Sequence, residues 1–362
     1  MSEKNKIKIG ITHGDYNGVG YDVIIKALAD ERITELFTPV IFGSSDLAAR
    51  AVRRLKIEDF HFTPVKRASE ALEGHINVVD VCTGELQPTP GIPSAAAGKA
   101  AVEALEAAAE ALDNHEIDLL VTAPIDKRSA QSETFSFPGH TEFLESRFGK
   151  EGARSLMILF DDHIRVALLT THVPVSKIAE HVKKEAIVDT LRRFNDSLKR
   201  DFGFERPRIA VLGLNPHCGD AGTIGSEDQE EIIPAIEECQ SEGMLVFGPM
   251  AADGFFGSGG YNAVDGVLAM YHDQGLAPFK ALSRENGVNF TAGLSVVRTS
   301  PAHGTAYDKA GRGIADETSM RQALYKAIDI ARTRRRYREA SANPLVIVEH
   351  KSKSKSKDKD KE

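Results

Sequence analysis

IKIGITHGDYNGVGYDVIIKAL (Ile7–Leu28) sets the class of the fold. Ile7–Thr12 reads as a strand, a glycine-containing turn follows, and Tyr21–Leu28 places apolar residues at helical spacing. The same unit recurs along the chain. Pro39–Phe42, Ile76–Val81, Leu119–Thr122, Pro207–Leu214 and Val267–Tyr271 are short apolar runs that read as strands. Between them, Asp46–Leu55, the Ala-rich Ser94–Leu112, Val175–His181, Ala186–Arg200, Glu227–Ser241 and Asp316–Arg338 read as helices, with Ser226 the expected N-cap of the fifth. Strands alternating with helices predict an α/β fold with a largely parallel sheet. Ser155–Phe160 and Arg165–Thr171 flank Asp161-Asp162-His163 and predict an antiparallel hairpin; Asn289–Val297 is expected to be extended and Leu345–Val348 to form a last strand. We expect two α/β lobes, with the chain crossing between them.

The chain has 362 residues, enough for two domains of ordinary size. With 41% hydrophobic and 27% charged residues it has the composition of a soluble globular protein. Cys82, Cys218 and Cys239 are too scattered for a disulfide framework or a zinc-thiolate site, and they suit a reducing compartment. Neither a secretory signal nor an apolar run of membrane-spanning length is visible, so a cytoplasmic location is expected. The net charge is −8 although the last twelve residues, KSKSKSKDKDKE, are rich in Lys. An acidic body argues against nucleic acid as partner, and the tail, without an apolar residue to bury, is expected to be disordered.

The first turn spaces its glycines G-x-x-x-G-x-G (Gly14–Gly20), which is not the dinucleotide fingerprint; a tight strand-to-helix connection explains it as well as phosphate binding does. No P-loop and no G-x-S-x-G elbow occur. Three histidines share one setting. ALLTTH ends at His172, VLGLNPH at His217 and VLAMYH at His272, each behind a buried-strand signature. A lone histidine there is ordinarily a satisfied one, but three imidazoles on separate strand ends are candidates to bind a divalent cation and leave positions open for substrate. Lys280, Arg298 and the helix-opening Gly139-His140-Thr141 are candidates for phosphate or carboxylate binding, and also for a salt bridge or an N-cap. His303–Gly313 (HGTAYDKAGRG) is a small-residue loop that lets backbone approach a ligand, or a structural crossover.

Longer motifs go further. TAPIDK (122–127), FPGHTEFL (137–144), RVALLTTHVPV (165–175), PRIAVLGLNPHCGD (207–220), AMYHDQGLAPFK (269–280), GVNFTAGL (287–294) and VRTSPAHGTAYDKAGRG (297–313) together resemble the 4-hydroxythreonine-4-phosphate dehydrogenase family, from about Lys6 to Val348. The resemblance implies two α/β/α lobes with mixed sheets, similar to isocitrate and isopropylmalate dehydrogenases, with the active site in the cleft between them. It implies a first, cofactor-side lobe from residues 1–127 and 288–350, a second lobe from 128–287 with the metal ligands and dimer interface, and the charged tail at 351–362. It implies metal ligands at His172, His217 and His272, and substrate contacts at His140, Thr141, Lys280, Asn289 and Arg298. Asp253, reaching over from a partner subunit, and Asp273 are its candidates for the catalytic base. His303, Gly304, Thr305 and Asp308 would hold the adenosine side of NAD or NADP.

The implied reaction is oxidation of 4-phosphooxy-L-threonine followed by decarboxylation, in a homodimer with a divalent zinc, magnesium or cobalt ion at the subunit interface. Threonate or erythronate 4-phosphate is the alternative substrate, and a metal-dependent phosphatase or hydrolase the alternative of another class. This chain departs from the family in its first turn, GDYNGVGYD (Gly14–Asp22) in place of GDPAGIGPE, in a short loop at 285–288, and in the Gly-rich segment GFFGSGGYN (Gly254–Asn262).

Overall fold

The computed structural model describes residues 6–30, 32–132, 135–149 and 154–343. The expected strand Leu345–Val348 and the charged tail lie outside them. Twelve strands form one mixed sheet: β1 (Lys8–Thr12), β2 (Thr38–Gly43), β3 (Phe62–Val65), β4 (Ile76–Asp80), β5 (Leu119–Thr122), β6 (Leu156–Phe160), β7 (Arg165–Leu168), β8 (Arg208–Leu212), β9 (Leu245–Met250), β10 (Gly266–Ala269), β11 (Val288–Ala292) and β12 (Val297–Pro301). Their order is β3-β4-β2-β1-β5-β12-β11-β6-β7-β10-β8-β9. The first six are mutually parallel, and so are the last four. Between the two blocks β11 runs antiparallel to β12 and β6, and β6 antiparallel to β7. The strands of 1–122 and 288–301 therefore occupy one side of the sheet, and those of 156–269 the other.

Period-2 alternation feeds two faces. On β5, Leu119 and Val121 join the core beneath helices Gly20–Leu28 and Thr318–Ser341, while Leu120 joins the opposite core with helix Ala95–Asp113. Helix Lys184–Arg200 sends Ile187, Leu191, Phe194 and Leu198 against Ile158, Ile209 and Leu268 on the other side of the sheet. Alternate residues Val166, Ala210 and Ala269 meet Leu276 and Phe279 of helix His272–Ser283. Among the described residues no helix is long and apolar enough to cross a membrane.

Two helices open on side-chain caps. Ser94 Oγ accepts from Ala97 N at 3.2 Å and opens the Ala-rich helix. Asp126 Oδ1 accepts from Ser129 N at 2.8 Å and opens the short helix Lys127–Ala130. These two helices touch at Gly98, where a Cβ would stand 1.7 Å from the Ser129 carbonyl oxygen. Only glycine lets the Lys127 segment pack this closely.

Three expectations need correction, and two strands were not expected. Ser226 does not cap through its side chain; its carbonyl accepts from Gln229 and Glu230, and the helix opens with a π turn over Asp228–Ile232 before Ile233–Ser241. Asn289–Val297 is not one extended run. Gly293, at φ +90°, turns the chain so that β11 and β12 pair antiparallel. His272 is the first residue of a helix, since β10 ends at Ala269. Strands β3 and β9 carry Pro64 and Pro249 and lie at the two edges of the sheet, where a missing N–H costs no ladder bond.

Candidate active site

Where the strand direction reverses, β5, β12, β11 and β6 turn one face toward a cavity of about 220 Å³. Register puts Thr122, Arg298, Ser300, Asn289 and Met157 on that face, with Arg298 and Ser300 two residues apart along β12. Helix His140–Phe148 covers it with its N-terminal turn, so Gly139, His140, Thr141 and Glu142 form the opposite wall. First-turn N–H groups without intrahelical partners belong to such an end and favour an anion. Lys127, His172, His303 and Gly304 complete the lining. The space is smaller than the ~300–1,000 Å³ that takes drug-sized molecules.

Arg298 dominates the electrostatics. It is 3% exposed, and its Nε and Nη1 donate to Thr122 Oγ1 at 3.1 Å and Thr291 Oγ1 at 3.0 Å. No carboxylate among the described residues pairs with it; Glu142 acts on it only through space. Burial pushes its guanidinium down to about 10, still charged at neutral pH. Around it stand three buried polar atoms without a hydrogen-bond partner among the described residues: His140 Nε2, Asn289 Oδ1 and His303 Nε2. An unsatisfied buried group costs roughly 1–3 kcal/mol, so three of them beside an uncompensated cation mark a ligand's place. Burial, then Arg298 and Lys127, hold His140 well below the usual imidazole range. In His303 the ring nitrogen Nδ1 lies 2.9 Å from the Gly304 carbonyl, to which its N–H donates. Nε2 therefore carries the lone pair.

The three strand-end histidines are arranged differently. His172 stands at the cavity rim, where Lys127 Nζ donates to its Nε2 at 3.2 Å. Burial, then Lys127, lowers its pKa, and His272 also acts on it through space. His272 Nδ1 pairs with Asp273 Oδ1 at 2.6 Å, which leaves Nε2 for a ligand. His217 lies on an exposed turn, Pro216–Gly222, where His217, Cys218, Gly219, Asp220 and Ala221 all take left-handed φ values of 42–78°. Left-handed backbone costs roughly 1–2 kcal/mol per non-glycine residue. Asp228 anchors the base of this turn by accepting from Leu214 N at 2.9 Å and Asn215 N at 3.0 Å. Gln229 Nε2 holds the Cys218 carbonyl at 3.0 Å. Among the described residues, no three His, Cys, Asp or Glu side chains of one chain come together closely enough to hold a metal ion.

Of the residues singled out in the sequence, the cavity gathers His140, Thr141, His172, Asn289, Arg298, His303 and Gly304. His217, His272, Lys280, Asp253, Asp273, Thr305 and Asp308 lie outside its lining. Lys280 is exposed on helix His272–Ser283, and Asp253 is exposed on helix Ala252–Gly257, near enough to Cys218 to act on it through space. Lys127, Thr122 and Glu142 were not singled out; TAPIDK and FPGHTEFL, the motifs that hold them, were the available signal.

The first glycine turn is structural. Asn17 accepts from Thr89 N at 2.7 Å and donates to the Ile92 carbonyl at 2.9 Å. Tyr307 Oη donates to buried Asp15 at 2.8 Å, and the Thr305 carbonyl accepts from Val19 N at 3.0 Å. Asn17, one of the departures from the family turn, thus fastens the 89–92 segment to it.

Comparison with known proteins agrees with this architecture. The family model described as pyridoxal phosphate biosynthetic protein PdxA matches residues 35–327. A 4-hydroxythreonine-4-phosphate dehydrogenase of Bacteroides thetaiotaomicron is 55% identical over 343 residues, 95% of this chain and 94% of that protein. A D-threonate 4-phosphate dehydrogenase of Cupriavidus necator is 39% identical over 340 residues, 90% of this chain and 98% of that one. The crystal structure of a 4-hydroxythreonine-4-phosphate dehydrogenase from Burkholderia phymatum superposes with a TM-score of 0.72 at 37% identity, covering 90% of this chain and 99% of the other.

Proposed function

The chain belongs to the PdxA family of pyridoxal phosphate biosynthetic proteins, and on that premise we propose that it is a dehydrogenase that oxidises 4-phosphooxy-L-threonine with NAD or NADP and releases carbon dioxide from the resulting β-keto acid. The observation that carries this reading is Arg298, a buried cation without a counterion beside the unpartnered His140 Nε2 and Asn289 Oδ1. A small substrate with an anionic end and N–H or O–H groups satisfies all three. Arg298 holds the anion with the two guanidinium N–H groups that Thr122 and Thr291 leave unused, Thr141 and the helix N-terminus orient it, and Asn289 Oδ1 accepts from the substrate's ammonium or hydroxyl. His140 is kept neutral by its surroundings, so its Nε2 hydrogen-bonds the substrate without adding another positive charge to the cavity.

The nicotinamide cofactor fits the edge formed by His303 and Gly304. Gly304 has open space where a Cβ would be, and His303 Nε2 needs a donor. The side chain of exposed Asp308 and the backbone of Thr305 lie further along the same loop. Bound there, the cofactor would accept a hydride.

A divalent cation on His172, His217 and His272 has suitable donors but lacks a closed arrangement within one chain. We propose that a second copy of the chain completes it, and we assign the cation no step. A bound cation would supply Lewis acidity at the substrate's oxygens. The two-lobe division, with the cleft at the reversal of strand direction, belongs to the same proposal, as does a cytoplasmic setting.

The C. necator relative favours a second reading, the same chemistry on D-threonate 4-phosphate. Purified protein with NAD or NADP, a divalent metal and either acid separates the two. Faster reduced-cofactor formation from 4-phosphooxy-L-threonine supports the first reading, and faster formation from D-threonate 4-phosphate supports the second. Phosphate release without any reduced cofactor overturns both in favour of a hydrolase.

A further inference from the structure

Lys127 has no role in the mechanism so far, yet its position is unusual. It follows β5 on the short helix Lys127–Ala130, fixed by the Asp126 cap and by the close contact at Gly98. Its stem runs along Gly139, with Cε 3.6 Å from the position of a Cβ there. Its ammonium lines the cavity, on the same wall as the N-terminus of helix His140–Phe148. An exposed lysine ordinarily pairs with a carboxylate or points into water. Lys127 instead donates to a neutral acceptor, His172 Nε2. Glu142 lines the same cavity but forms no ion pair with Lys127 among the described residues.

The cavity therefore carries two cations, Arg298 and Lys127, against one carboxylate, Glu142. One imidazole nitrogen is a weak partner for an ammonium, which has three donors. From this geometry we propose that Lys127 is a substrate-binding residue: its ammonium leaves His172 and takes an oxyanion of the substrate, opposite the buried Arg298. This rests on the reading of the cavity as an anion site. The oxyanion belongs either to a phosphate ester or to a carboxylate, and lysine reads both as a point charge.

The test compares wild type with Lys127→Met and Lys127→Arg by thermal unfolding, with inorganic phosphate and with glycerate, and by steady-state kinetics. Without ligand, Lys127→Met is expected to unfold with wild type, because the side chain is exposed and unpaired with acid. With ligand, the wild-type protection is expected to fall in Lys127→Met and to return in part in Lys127→Arg. In kinetics KM is expected to rise roughly tenfold to a hundredfold, the usual worth of one hydrogen bond to a charged group, with kcat changed far less. Lost protection by phosphate places Lys127 at the phosphate end, and lost protection by glycerate places it at the carboxylate end. Equal protection of wild type and Lys127→Met by both ligands overturns the assignment of Lys127 alone. No protection of wild type by either overturns the anion cavity itself.

Discussion

Arg298 is 3% exposed and fixed by two threonines before any ligand arrives, whereas His217 rides an exposed turn of left-handed residues. The two belong to halves of one candidate site built on different terms. The cavity half is framed by four adjacent strands and a helix end, and its desolvation is already paid within a single chain. The histidine half hangs on loops and helix starts behind β7, β8 and β10, and one chain does not assemble it. Orientation of the substrate can thus be preorganised, whereas the proposed cation site would need a second copy of the chain to bring the histidines together.

Removing the guanidinium should have the largest effect. Arg298→Met is expected to lower kcat/KM by roughly 10²–10³-fold, the cost of deleting one partner of a buried charge pair. A loss under tenfold in steady-state kinetics would move the anion elsewhere.

Acid sharpens the contrast between buried and exposed histidines. His13 is 0% exposed, stacked on Tyr21 at 5.2 Å between ring centroids, and burial lowers its pKa from 6.5 to about 4. Its folded value lies below its unfolded value, so the unfolded chain binds the proton more readily. The stability this protects is fully present above pH 6.5 and is lost as pH falls toward 4, an effect of about 3 kcal/mol. Urea unfolding at pH 7 and pH 4.5 should show that slope, and His13→Gln should flatten it whatever its stability at neutral pH.

The smallest effects test the strained turn. Ala221→Gly is expected to stabilise the fold by about 1 kcal/mol, because glycine takes left-handed φ freely, and to leave activity intact. His217→Gly should gain similarly in denaturant midpoint while losing cation uptake. A loss of stability in Ala221→Gly would mean that the turn is not strained.

These contrasts also mark what could be read beforehand. The α/β class and most strands were legible because apolar runs alternate cleanly with helical spacing, as in Leu119–Thr122. Both edge strands were hidden by prolines, and β11 and β12 were fused because nothing in GVNFTAGL announces that Gly293 turns the chain. His140 and Arg298 stood out as anion-binding candidates from their own sequence settings, and Asn289 from motif resemblance. That they share a sheet face with Thr122 was not, because it depends on the register of β5, β12 and β11. Lys127 was overlooked because an exposed lysine beside an aspartate looks like a solvated pair in sequence; in the fold Asp126 is spent on capping Ser129.

The most direct test is a crystal structure of the protein with 4-phosphooxy-L-threonine. An oxyanion is expected on the guanidinium N–H groups of Arg298 that Thr122 and Thr291 leave unused, with a substrate N–H or O–H on Asn289 Oδ1 and His140 Nε2 within hydrogen-bond reach of the ligand. A ligand bound elsewhere, with those three groups still unpartnered, would contradict it.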